Sequence, residues 1–197
     1  LGAWVTIWGT FVMITSAPFD NWWHNAYGLD VQIVSPPHMV LALGMVAIQV
    51  GALLFALGGQ NRAVDAPEMR RLGWAYTAAA GVLIAMIATL ISEYASRANE
   101  MHSALFYQVA GGALTVFVVA VSRAGRLRFP ATRAAAVYMA ILLVMMWTLQ
   151  LFPAVPKLAP IYREITHMVP PSFPLLLVFP ALAVDLLVSW NAGRHDW

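Results

Sequence analysis

The chain has no cysteine. That removes disulfides, Cys-ligated iron–sulfur clusters and thiolate metal sites. Charge is almost as scarce. Asp, Glu, Lys and Arg make up 10% of the 197 residues, where a soluble domain carries about 25%. Also missing are a Gly-rich phosphate loop, a His-Glu-x-x-His pair and a Gly-x-Ser-x-Gly elbow. Ser92 and Ser103 have no base–orienter arrangement beside them, which argues against a hydrolase. The net charge of +2 and the pI near 9.2 reflect a small arginine excess. They give no nucleic-acid footprint.

What remains is apolar: 61% of the residues are hydrophobic. No soluble core of this length hides so much apolar surface, so the solvent must be lipid. A spanning helix needs about 20 predominantly apolar residues. Such stretches run over about 1–19, 39–59, 72–92, 103–122, 134–154 and 169–189. The expected fold is all-α: one transmembrane domain of six spans arranged as three hairpins. The chain opens with Leu1 inside an apolar stretch, so either residues precede it or a leader has been removed. Pro174 and Pro180 interrupt the sixth span. Each removes a backbone hydrogen bond, which predicts a kink satisfied by neighbouring helices. Gly81, Gly111 and Gly112 predict a close approach of the third and fourth spans. Trp22, Trp23, Trp74, Trp190 and Trp197 fall near span ends, as interfacial anchors do.

The connecting segments fix an orientation. Arg62, Arg70, Arg71, Arg123, Arg126, Arg128, Arg133 and Arg194 fall on one side, and only Arg97, Lys157 and Arg163 on the other. The positive-inside rule puts the arginine-rich side in the cytoplasm, with both ends of this chain. In a bacterial inner membrane the segments 20–38, 93–102 and 157–167 then face the periplasm. Four of the five histidines lie on that outer side: His24, His38, His102 and His167. So do Asp20, Asp30, Glu93, Glu100 and Glu164. Ionisable groups near membrane depth are costly and point to function. Asp185, near the inner end of the sixth span, reads as a helix-end or packing partner, and His195 as a solvated tail residue.

The sharpest segment is FDNWWHNAYGLDVQIVSPPHM, residues 19–39. Asp20 and His24 are four apart and share a face if the first helix continues through them. Ser35, Pro36 and Pro37 read as a helix start. His38 then sits in the first turn of the second helix. The hairpin places Asp20, His24 and His38 around one point. Two imidazoles and a carboxylate suit copper, zinc or iron with positions left open. Asp30 is a further ligand or a partner that orients a ligating imidazole. The bland alternative is that these groups only cap helices and bond the loop.

A looser group comprises Glu93, Glu100 and His102 around the third and fourth spans, and Glu164 with His167 ahead of the sixth. A Glu-x-x-His pair on one helix face is a recurrent di-metal element. These residues form a second site or support the first. Met39, Met101 and Met168 each adjoin an outer histidine, a slight lean towards copper.

Asp20-x-x-Trp23-His24, Asp30 and Pro36-x-His38 together resemble the metal-binding segment in the C-type subunit of the copper membrane monooxygenases, the particulate methane and ammonia monooxygenases. The resemblance covers that segment alone. It implies a copper site made by Asp20, His24 and His38 on the outer side of the membrane. It also implies a copper-dependent oxidoreductase subunit working with other membrane subunits or as a homo-oligomer. Two other readings compete. One is a copper- or zinc-handling or structural subunit of a membrane complex. The other is a cytochrome whose haem takes two of the outer histidines as axial ligands.

Overall fold

A computed structural model describes residues 1–28, 35–91, 104–155, 166–168 and 176–192, apart from the side chains of residues 105 and 106. Among these residues the apolar runs form six helices: α1 (Gly2–Tyr27), α2 (Pro36–Gln60), α3 (Ala66–Ile91), α4 (Ala104–Ala124), α5 (Pro130–Leu149) and α6 (Val178–Ala192). The all-α expectation holds. The one extended pairing in the described residues is an isolated bridge between Pro153 and His167.

Local chemistry sets the helix starts. Two prolines open α2 at its first positions, where a missing N–H costs nothing. Asp65 caps α3: its Oδ1 accepts from the Glu68 amide at 2.7 Å, while Glu68 Oε2 reaches back to the Val64 amide at 3.2 Å. This reciprocal arrangement satisfies backbone donors that the helix itself leaves unpaired. The start of α5 is capped from a distance. Asp185 of α6 is buried and accepts from the amides of Ala131 and Thr132, at 3.3 and 2.8 Å. It also accepts from the hydroxyls of Thr132 and Ser122, at 2.7 and 2.6 Å. One carboxylate thus fastens α4, α5 and α6 together, in the helix-end role expected for it.

Among the described residues, four helices are long and apolar enough to cross a membrane: α2, α3, α4 and α5. The chain is accordingly a membrane-embedded helical protein. The other two expected spans are not among these four. Thr6, Thr10, Thr15, Ser16, Asp20 and Asn21 dilute the apolar character of α1, although it is 26 residues long. The sixth helix covers Val178–Ala192, 15 residues, and residues 169–175 and 193–197 lie outside the described residues. At 1.5 Å per residue the described helix is about 22 Å long, short of the roughly 30 Å hydrocarbon core. Pro180 falls in its first turn, where it opens the helix and does not kink it. Pro174 lies outside the described residues.

Of the three expected hairpins, α1–α2 and α5–α6 pack together, while α3 packs more on α5 than on α4. Helix α2 also packs on α3, and α6 lies between α5 and α4. The glycines explain part of this. A Cβ at Gly81 would press on Val137 and on the Ala134 carbonyl, so the close approach of α3 is to α5 and not to α4. Gly111 and Gly112 face open space. The centre of the bundle is built from Thr77, Ala80, Ile84, Ala134, Tyr138 and Ala181. Large apolar side chains such as Trp8, Phe55, Val116 and Phe179 cover its exterior. A surface this apolar belongs in lipid or against another apolar partner.

Candidate functional site

The α1–α2 hairpin is held by backbone contact. Gly2, Gly9 and Ser16 are buried on α1, and Pro37, Gly44 and Gly51 on α2, each set at seven-residue spacing. A Cβ on Gly9 would lie 2.7 Å from the Ile48 amide nitrogen, and one on Gly44 2.6 Å from that of Met13. One on Gly2 would meet Phe55 and Gly51. The α1 side of this antiparallel seam steps by four and three through Gly2, Thr6, Gly9, Met13 and Ser16. Asp20 is the next residue in that series. It lies at the end of the hairpin opposite the arginine-rich turns.

There α1 continues past its expected end to Tyr27 and carries both Asp20 and His24. His24 Nε2 stands 3.6 Å from Asp20 Oδ1, an i,i+4 pair with side chains 28% and 37% exposed. The expected shared face is therefore present. The separation is within ion-pair range and too long for a hydrogen bond. Asp20 Oδ1 is itself shielded from solvent and accepts no hydrogen bond.

The returning helix begins as expected, with Ser35 at the N-cap and His38, half-buried, in the first turn. The cap itself differs from expectation. Prolines occupy the first two helical positions, so neither offers an N–H. The Ser35 hydroxyl makes no capping bond and is buried without a partner. Two shielded oxygens, one on each arm, are thus left without hydrogen bonds at the same end of the hairpin. The sequence reading missed Ser35 as a site residue. Its only signal was the pair of prolines, which takes away the amides a capping serine would use.

Aromatic rings cluster along the same last turns of α1. Phe19 stacks on Trp22 with centroids 5.9 Å apart, and Trp23 lies 4.5 Å from Tyr27. Trp22 and Trp23, expected as interfacial anchors, are also joined to each other in this cluster.

The remaining candidates are distributed as follows. His167 sits past the end of α5, at the same end of the bundle, in exposed extended backbone. The Met168 amide donates to the Phe152 carbonyl at 2.9 Å, and Thr166 Oγ1 is 2.9 Å from His167 Nδ1. His167 is therefore not on a helix face, as the Glu-x-x-His reading required. Asp30, Glu93, Glu100, His102 and Glu164 lie outside the described residues. Among the described residues no three His, Cys, Asp or Glu side chains gather closely enough to hold a metal ion. Asp20 and His24 meet; His38 shares their end of the hairpin without completing a three-ligand cluster.

Comparison with protein-family models, with curated proteins and with solved structures finds no match to this chain.

Proposed function

We propose that this chain is an integral membrane metal-binding protein with a copper site formed by Asp20, His24 and His38, working as a subunit or relative of a copper-dependent membrane oxidoreductase of the monooxygenase type. The observation that carries the reading is the Asp20–His24 pair, 3.6 Å apart at the end of a hairpin whose returning arm opens with His38. The chemistry of the donors fits. Two neutral imidazoles and a carboxylate suit Cu(II), and zinc or iron less selectively. The shielded, unbonded oxygen of Asp20 has lone pairs to give. Bound copper would supply one-electron redox chemistry. The protein would supply the ligands and, through Asp30 or His167, a partner that orients an imidazole.

The arginine asymmetry supports placing the site on the periplasmic side of a bacterial inner membrane, with both ends of this chain in the cytoplasm. Partner subunits or further copies of the chain would deliver electrons. A second reading, copper or zinc handling, is favoured by the partial exposure of Asp20 and His24, since a carrier must give up its ion.

The test is metal content. Protein purified in detergent without chelators, then offered copper and zinc separately, is expected to hold about one copper per chain with a type 2 Cu(II) EPR signal. His24→Ala and His38→Ala should both lose it. Copper held but released within minutes to a weak chelator would favour handling. No stoichiometric metal in the wild type would overturn the site, and a Soret band would replace it with haem.

A further inference from the structure

The arginine-rich end has a structure of its own. Its two turns are joined: the Arg126 amide donates to Gln60 Oε1 at 3.1 Å, and Arg126 Nη2 to Asn61 Oδ1 at 3.0 Å. Leu127 packs against Gly73. The seven arginines of the α2–α3 and α4–α5 regions therefore share one end of the bundle.

Among the described residues no arginine takes part in an ion pair. Among the described residues, the acids at this end accept hydrogen bonds from other groups. Asp65 and Glu68 accept from backbone amides at the start of α3. Asp185 is buried, accepting from the first turn of α5 and from Ser122 and Thr132.

Two of the arginines are held in place. The Arg133 guanidinium lies 4.9 Å from the centroid of the Trp74 ring, and that of Arg128 lies 4.8 Å from the Phe129 ring. A guanidinium that lies over a ring by cation–π contact still has N–H groups for oxygen acceptors. These groups suit the paired oxygens of a phosphate. Both arginines flank the same turn, at the start of α5. Trp74, half-exposed in the third turn of an apolar helix, suits an interfacial position beside that turn.

We propose that the face centred on Arg128 and Arg133 binds the phosphate of anionic phospholipids of the surrounding bilayer. The location favours lipid over a soluble anion, because these arginines stand where membrane-spanning helices end. The charge favours an anionic headgroup over a zwitterionic one, because no protein carboxylate among the described residues competes for the guanidinium N–H groups.

Native mass spectrometry of the full chain, released from nanodiscs of equimolar phosphatidylglycerol and phosphatidylcholine, tests this. Phosphatidylglycerol adducts should dominate in the wild type. They should fall roughly tenfold to thirtyfold in R128Q/R133Q, while R70Q/R71Q, equal in charge loss, keeps most of them. An equal fall in the two variants would mean diffuse attraction and overturn the site. So would displacement of the lipid by millimolar inorganic phosphate, which would mark a free-anion site. If R128Q/R133Q is not recovered folded, the wild type still decides. Equal adducts of the two lipids would overturn the proposal, and W74L, which frees the Arg133 side chain, should lower phosphatidylglycerol retention.

Discussion

Asp185 of α6 accepts a 2.8 Å hydrogen bond from the amide of Thr132, in the first turn of α5. A carboxylate buried in an apolar bundle needs a compensating field, and here the exposed amides and positive dipole end of another helix supply it. Ser122 and the Thr132 hydroxyl complete the set, so its two oxygens accept four hydrogen bonds.

Asp185→Ala should destabilise the protein by about 3–5 kcal/mol, because it leaves two hydroxyls and two amides buried without an acceptor. Thermal unfolding in detergent will read this as a clear fall in midpoint. Asp185→Asn retains one acceptor oxygen and should fall less. An alanine variant as stable as the wild type would show that the carboxylate is not what fastens α4, α5 and α6.

Ser122→Ala and Thr132→Val should prove coupled. Both hydroxyls serve the same carboxylate, so the double variant should differ from the sum of the singles by about 0.5–3 kcal/mol. Strict additivity in a double-mutant cycle would mean the two hydroxyls act independently.

Two glycine substitutions should have opposite signs. Gly44→Ala places a Cβ 2.6 Å from the Met13 amide nitrogen and must push the arms of the hairpin apart. A loss of about 1–3 kcal/mol is expected from such overpacking. Gly111→Ala meets nothing and should gain roughly 0.5–1 kcal/mol from helix propensity alone. Unfolding midpoints of the two variants, measured side by side, decide it.

If Asp20, His24 and His38 hold one ion, their losses will not add. Each alanine variant should lose nearly all bound copper, and the His24→Ala/His38→Ala double variant should lose no more than either single. Elemental analysis of chelator-free preparations is the readout. A single variant that keeps about half the copper would mean that the histidines serve separate sites, contrary to a shared three-ligand ion.

Much of this is legible in the sequence. Apolar run lengths located the helices, Pro36–Pro37 marked the start of α2, and the spacing of Asp20 and His24 put them together on α1. Asp185 was recognisable as a helix-end partner, because an acid so deep in an apolar segment has to bond something. What failed depended on partners. Gly81 and the Gly111–Gly112 pair look alike in sequence, yet only the first meets a neighbour, since nothing in a helix says which face another will cover. The seam of α1 was overlooked because its small residues are spread among threonines and tryptophans. His167 was read on a helical period, but its amide neighbours bond the strand-like segment after α5. Asp30, Glu93, Glu100, His102 and Glu164 lie outside the described residues.

Pro18 gives the hairpin a mechanical character of its own. It stands inside α1, between the last glycine-seam residue, Ser16, and the Asp20–His24 pair. Lacking an N–H, it leaves the carbonyl four residues back unclaimed by the helix ladder. Below it the two arms are clamped with their backbones touching; above it α1 has lost a strut. The hairpin thus joins a stretch clamped from Gly2 to Ser16 to an outer end, carrying Asp20 and His24, whose helix ladder has one rung fewer.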